Sequence, residues 1–274
     1  MANNELKPAQ RVALARSPER PGTAEFVSAL FTDFFEQRGD RCCMDDGAIY
    51  GGVGLFHGRP VTVIGHRKGH TIEEHVAYHF GMPSPEGYRK AQRLMQQAEK
   101  FGRPIVTFID TAGAYPGLEA EAHGQGEAIA STLALSSRLT VPVISIVTGE
   151  GGSGGALALG VGNRVFMLEN AVYSVLSPEG FAAILWKDAS RSAEACDVMK
   201  LTAADLLELK VIDGVIPEPE GGAQTDPQAV YRALDELLAK ELASLSKMSG
   251  KALAEARYKK FRMMGANALR KERL

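Results

Sequence analysis

Two glycine-rich segments hold the residues most able to do chemistry in this sequence. They are Asp110-Thr-Ala-Gly-Ala-Tyr-Pro-Gly117 and Gly149-Glu-Gly-Gly-Ser-Gly-Gly-Ala156. Each follows a short apolar run and precedes a helical pattern, which places it at the edge of a sheet where ligands bind. Glycine lets the main chain approach a ligand with no Cβ in the way. The N–H groups that open the following helix have no intrahelical partner and sit in a positive field. Such a segment can hold an oxygen that becomes negative during a reaction. A tight strand-to-helix turn is the plainer alternative for either segment. Five of the seven residues from Gly149 to Gly155 are glycine, however, which is more than a turn requires.

Other chemistries fit less well. No Lys-Ser or Lys-Thr follows the glycines, so the second segment is not a phosphate-binding P-loop. Gly149-Glu-Gly-Gly-Ser-Gly154 matches the letters of a dinucleotide fingerprint, but Glu169 is the only acid near the required distance and its context is poor. Gly151-Gly-Ser-Gly-Gly155 matches the nucleophile elbow around Ser153. The six histidines (His57, His66, His70, His75, His79 and His123) all precede Ser153, so an α/β-hydrolase triad order is impossible. His75 and His79 are four apart, yet no Glu lies between them, and a surface or phosphate-facing role fits better than a metal site.

The elements that must position these segments are legible. Thr23 caps a helix with Phe26, Val27, Leu30, Phe31 and Phe34 at helical spacing. Gly47 to Phe56 and Arg59 to Gly65 read as a hairpin turning at His57-Gly58. Ser84-Pro85 opens a helix with Tyr88, Ala91, Leu94, Met95 and Ala98 on one face. Pro104 to Asp110 and Pro142 to Thr148 are almost wholly apolar strands, each leading through glycines into a helix, around 121–138 and 154–160. Further strands are expected at 165–168, 171–176 and 211–216, and helices after Ser177-Pro178 and Thr202 and over 226–245. Strands apolar on both faces, alternating with helices, imply parallel sheet covered by helices. Residues 1–20 are expected to be a loosely ordered polar tail, 21–245 a single domain and 246–274 a basic helical tail. That last tail reads as a solvated end or a contact for a partner.

Bulk properties exclude little else. The 274 residues are 45% hydrophobic and 23% charged, with a net charge of −2, which does not point to nucleic acid or an anionic membrane. Cys42, Cys43 and Cys196 lack the spacing of a disulfide framework or zinc ribbon. The polar N-terminus and the absence of a long apolar run lead to the expectation of a cytoplasmic protein.

Several stretches together resemble the alpha subunit family of acetyl-CoA carboxylase carboxyltransferase. They are Gly65–Gly69, Phe80–Ala91, Phe108–Gly117, Gly149–Ala158, Tyr173–Gly180, Ile184–Lys187 and Ile216–Ala223, in order from about residue 20 to 245. The resemblance implies an α/β, crotonase/ClpP-like spiral of β-β-α units with helical N- and C-terminal extensions. It implies transfer of a carboxyl group from carboxybiotin, on a separate biotin carboxyl carrier protein loaded by biotin carboxylase, to acetyl-CoA. The product is malonyl-CoA, in ATP-dependent fatty acid synthesis. An obligate beta subunit in an α2β2 assembly is also implied, carrying the zinc, with no metal in this chain. By the same resemblance, backbone N–H groups of Gly151 and Gly152 hold the biotin oxygen. Gly113, Ala114, Gly117, Ser153, Gly154 and Gly155 shape the substrate pocket, and Arg67 and Lys68 attract a carboxylate or a CoA phosphate. A bulky side chain at Gly152 is expected to abolish transfer with folding intact. Two features depart from the family pattern: Ala112 replaces the usual Pro, and the N-terminus is shorter than in many members. The competing classes are a stand-alone crotonase-like hydratase or decarboxylase and a non-catalytic binding module.

Overall fold

The computed structural model describes residues 6–266. Its centre is a pair of parallel strands, β4 (Ile105–Thr111) and β5 (Val143–Gly152), aligned from Ile105 with Val143 to Thr111 with Gly151. Both are apolar on alternate and intervening positions because both faces are covered, as the sequence predicts. The hairpin also forms as expected: β2 (Ile49–Phe56) and β3 (Arg59–His66) pair antiparallel, and β3 then lies parallel to β4. On the other flank β6 (Arg164–Leu168) follows β5, and β8 (Gly214–Ile216) follows β6.

β5 changes neighbours along its length. Residues 144–147 pair with β6, but residues 150–152 pair with β7 (Val172–Ser174). β6 and β7 are joined by only a few residues, so the chain moves from one partner position to the other as it advances. This strand–strand–helix succession makes a spiral rather than a flat doubly wound sheet.

Most helices follow the expected signals, but the one expected to be capped by Thr23 is capped at Gly22 by Glu25, and the Thr23 hydroxyl donates to the His66 carbonyl instead. α4 (Pro85–Lys100) has Pro at its first position and buries Tyr88, Ala91, Leu94, Met95 and Ala98. α8 (Pro178–Trp186) is capped by Ser177, α10 (Ala203–Glu208) by Thr202 and α11 (Pro227–Leu245) by Asp226. The helix expected around 121–138 is two: α5 (Leu118–Ala122) and α6 (Gln125–Arg138), separated where Gly124 takes φ +83°.

Three expectations are corrected. α2 (Thr23–Leu30) stops before Phe34, which lies instead in an edge strand, β1 (Thr32–Glu36), paired with β2. Helical spacing alone did not reveal that pairing. The segment before residue 20 is not loose from residue 8 onward. It forms α1 (Pro8–Ala15) and sends three arginines into the domain. Arg11 donates to the Glu169 carbonyl at 2.9 Å and Asn170 Oδ1 at 2.7 Å, and Arg20 forms a fully buried pair with Glu218. Residues 1–5 lie outside the described residues.

The basic segment after 245 is likewise built in. α12 (Gly250–Met263) turns Leu253 and Arg257 inward. Arg257, 1% exposed, donates to the carbonyls of Ser136, Leu139 and Val141 and to Asn163 Oδ1. It closes the C-terminal end of α6 onto the start of β5. The last eight positions of that segment, 267–274, lie outside the described residues. Removing the guanidinium takes the donor from three buried carbonyls, each costing about 1–3 kcal/mol, while Asn163 Oδ1 keeps the Val143 N–H. Arg257→Met is therefore expected to lower the unfolding free energy by at least about 3 kcal/mol in urea titrations.

Candidate functional site

The ends of β3, β4 and β5 meet around a cavity of about 390 Å³. Its floor is His66, the last residue of β3, and its walls include Lys68, Asp110, Ala112 and Glu150. The N-terminal segment closes one side with Arg16, Ser17 and Arg20.

A chain of ion pairs crosses these strand ends. Lys68 Nζ lies 2.7 Å from Asp110 Oδ1 and 3.1 Å from Glu150 Oε2. Arg16 Nε lies 2.7 Å from Glu150 Oε1, and its Nη1 is 2.7 Å from Glu179 on α8. Burial opposes the Lys68 charge, but the two carboxylates outweigh it and hold the ammonium above its ordinary range. The hydrogen bonds that Arg16 donates to Glu179 likewise raise its pKa. Asp110 Oδ1 also accepts the Glu150 main-chain N–H at 2.9 Å. Gly149 makes this possible: a Cβ there would collide with the Asp110 carboxylate.

The cations expected to attract an anion are thus already partnered. Lys68 is shared between two carboxylates. Arg67 lies between aromatic rings, 4.1 Å from the centroid of Tyr78 and 5.0 Å from that of Tyr50, with Nε donating to the Gly47 carbonyl at 3.1 Å. Lys68 is thus neutralised, whereas Arg67 lines the cavity with no carboxylate in salt-bridge contact among the described residues.

The second glycine segment is not a loop. β5 continues to Gly152, and α7 (Ser153–Gly160) begins at the next residue. Gly151 stands opposite Thr111 of β4 on one side and Tyr173 of β7 on the other, so its main chain belongs to the ladder. The turn is made by Ser153, a non-glycine residue at φ +49°. This is the backbone of a nucleophile elbow, and the Ser153 side chain is exposed. No described residue makes a side-chain hydrogen bond to its hydroxyl. The first turn of α7 has no side-chain cap. The N–H groups of Ser153, Gly154 and Gly155 are the uncapped donors of that turn.

The first segment lies directly on this turn. A Cβ on Gly152 would strike the Ala112 carbonyl and come within 2.9 Å of Gly113 N. A Cβ on Gly155 would lie 2.7 Å from Gly113 C and 2.9 Å from Ala114 N. The two main chains touch only because both positions lack side chains. The first segment is held in place by Thr111 Oγ1, which receives the Gly113 N–H at 3.1 Å, and by Gln125 Nε2, which donates to the Tyr115 carbonyl at 2.9 Å. Gly117 lies farther along, against the Tyr115 ring. Gly151 and Gly152 line a narrow second recess with Ala112, Glu150 and Ser177. Arg16, Ala112 and Glu150 border both hollows.

Sequence reasoning overlooked His66, Asp110, Glu150 and Arg16 as members of the site. His66 is 1% exposed, and neither ring nitrogen has a protein hydrogen-bond partner. Burial, aided by the nearby Lys68 ammonium, lowers its pKa to about 3, so the ring is a neutral imidazole at physiological pH. Position was the available signal: His66, Asp110 and Glu150 all stand at or next to the C-terminal ends of strands.

Fold and site together define a crotonase-like protein, a spiral whose glycine-lined strand ends face a cavity. A similar fold occurs in the 12S transcarboxylase core solved with methylmalonyl-coenzyme A and methylmalonic acid, with a TM-score of 0.66 at 19% identity over 88% of this chain and 46% of that one. The chain belongs to the acetyl-CoA carboxylase carboxyltransferase family, whose model, described as acetyl co-enzyme A carboxylase carboxyltransferase-like, matches residues 2–265. It is 57% identical over 260 residues to the acetyl-coenzyme A carboxylase carboxyl transferase subunit alpha of Geobacillus thermodenitrificans, covering 95% of this chain and 80% of the relative. The corresponding protein of Clostridium acetobutylicum is 57% identical over 263 residues, covering 96% of both chains.

Two measurements test the geometry. The Gly152 contact corrects the expectation that a bulky residue there spares folding: Gly152→Ala should cost about 1–3 kcal/mol by overpacking against the Ala112 carbonyl. Gly154→Ala, with only Ile129 nearby, should gain up to about 1 kcal/mol. His66 is neutral when folded, while an unfolded His protonates near its ordinary value of 6.5. The unfolded state therefore binds more protons between the two values. Stability from this group is complete above pH 6.5 and falls by about 1.4 kcal/mol per unit as the pH drops toward 3. Urea unfolding at pH 7.5 and 5.5 should show this loss in the native chain and its absence in His66→Asn.

Proposed function

We propose that this chain is the alpha subunit of an acetyl-CoA carboxylase carboxyltransferase. It helps to move the carboxyl group of carboxybiotin, presented by a biotin carboxyl carrier protein, to acetyl-CoA, giving malonyl-CoA in the cytoplasm. The observation that carries this reading is the side-chain-free contact between residues 112–114 and the start of α7, beside a cavity.

The residues present fit an oxygen-rich, neutral ligand group. The first turn of α7 offers uncapped N–H donors, and the orphaned His66 ring offers a neutral partner at the cavity floor. Carboxybiotin supplies the carboxyl group when bound. The first turn of α7, with Gly151 and Gly152 leading into it, stabilises negative charge on the ureido oxygen. The Gly113–Gly117 segment walls the pocket. Ser153 shapes the turn rather than attacking. Asp110, Glu150, Lys68 and Arg16 hold strand ends and the N-terminal segment in register, and their mutual pairing leaves none as a free acid or base. The acetyl-CoA thioester is held by a zinc-ribbon beta subunit in an α2β2 assembly, and biotin carboxylase regenerates the donor. Family membership disfavours a stand-alone hydratase or decarboxylase.

Reconstitution tests the proposal. The isolated chain should form no malonyl-CoA, and adding the beta subunit with carboxybiotin should restore turnover. In that assembly Gly155→Ala, which displaces Gly113 and Ala114, should lower kcat by about 10²–10³. Gly154→Ala and Ser153→Ala should stay within roughly threefold of the parent, because neither removes a main-chain donor. Turnover of an acyl-CoA by the isolated chain, or full activity in Gly155→Ala, would contradict this assignment.

A further inference from the structure

Three segments remote in sequence place a thiol, a carboxylate and an imidazole together at the start of α4. Ligand atoms of Cys43, Glu86 and His123 all lie within 4.8 Å of one another. In a tetrahedral zinc site with bonds of about 2.0–2.3 Å, ligand atoms stand roughly 3.3–3.7 Å apart. The widest separations need to close by about 1 Å to reach that spacing, while the 2.9 Å contact of His123 with Glu86 needs to open slightly.

One guanidinium organises all three. Arg89 Nη2 donates to Glu86 Oε1 at 2.7 Å, and Nη1 donates to the His123 carbonyl at 3.1 Å. Its Nε donates to Asp40 Oδ2 at 2.9 Å, while Asp40 Oδ1 receives the main-chain N–H groups of Cys42 and Cys43 at 2.8 Å each. Arg89 therefore ties the three segments together, reaching His123 and Cys43 through main-chain groups and Glu86 at its carboxylate, as groups behind a metal site hold its ligands. His123 Nδ1 already stands 2.9 Å from Glu86 Oε1, sharing a position that a cation can take. Glu86 is 2% exposed and fixed, while Cys43 and His123 are exposed, so solvent can deliver the ion.

Cys43, Glu86 and His123 offer one sulfur, one oxygen and one nitrogen donor, a set that divalent transition metals take. We infer that Cys43, Glu86 and His123 bind a divalent transition metal, zinc by donor type, with the fourth position open to water. Binding breaks the Cys43 S–H bond and releases that proton to solvent as the S–metal bond forms. No electrons are transferred. This departs from the expectation of no metal in the chain. The bound ion would clamp the loop around residue 43 and the α5–α6 turn to α4, next to Gln125 and the Tyr115 carbonyl it anchors.

The full chain, freed of metal and kept reduced with a phosphine, is titrated with Co(II) and then Zn(II). One equivalent of Co(II) should produce tetrahedral d–d bands with a thiolate charge-transfer band, both bleached by Zn(II), and Zn(II) should raise the Tm. Cys43→Ser and His123→Ala should each weaken binding by at least about 100-fold, beyond the usual range for second-shell losses. Both sites are exposed, so these variants keep the fold. Cys42→Ser should bind as the parent does. Absence of stoichiometric binding, or binding that survives in Cys43→Ser and His123→Ala, would overturn the inference, as would loss of binding in Cys42→Ser alone.

Discussion

The site depends on one contact between two stretches of bare main chain. Residues 112–114, leaving β4, rest on Gly152 and Gly155, where β5 becomes α7. Adjacent parallel strands normally keep their outgoing connections apart, because side chains at the strand ends fill the space between them. Here the missing Cβ atoms let the connections touch, and the uncapped turn of α7 is left beside a cavity. That arrangement explains the glycine density better than flexibility does. Gly152 and Gly155 are required by packing, and Gly149 by the Asp110 carboxylate, while φ at Ser153 rather than at a glycine makes the turn. A serine can hold that left-handed conformation only where the surrounding structure imposes it.

Charge in the site is arranged to cancel. Lys68 and Arg16 face Asp110, Glu150 and Glu179, and the nearest imidazole is neutral. Apart from Arg67, the site offers an anion little Coulomb attraction before reaction. It offers fixed dipoles whose interaction strengthens as charge develops on a bound oxygen, the condition for accelerating a step rather than merely binding a ground state. The ion pairs serve geometry: they run from α1 across the ends of β3, β4 and β5 to α8, so the N-terminal segment becomes a wall of the site.

How much of this was legible depended on range. Pro85, Ser177, Thr202 and Asp226 mark helix starts through local chemistry, and the apolar runs at 105–109 and 143–147 mark the central strands through burial on both faces. Phe34 misled because helical spacing continued for one more position into a strand whose partner, β2, is set by long-range pairing. Arg11, Arg16 and Arg20 look like a polar tail in sequence. Their partners, Asn170, Glu150 and Glu218, are more than 130 residues away, so only the folded chain shows what they hold. The glycine segment was visible as composition, but its division into strand, turn and helix depends on β4 and β7 pairing with Glu150–Gly152.

The same logic bears on why such a chain works with a partner. Every side chain at the strand ends that could give or take a proton is either paired or held neutral by burial. What remains free is main-chain N–H, which can stabilise an oxyanion but cannot select an acyl group or hold a large polyanionic coenzyme. Under the proposed function, recognition of the second substrate comes from a surface outside this cavity. A subunit that meets the open side of the cavity can supply it without disturbing the close main-chain contact beneath.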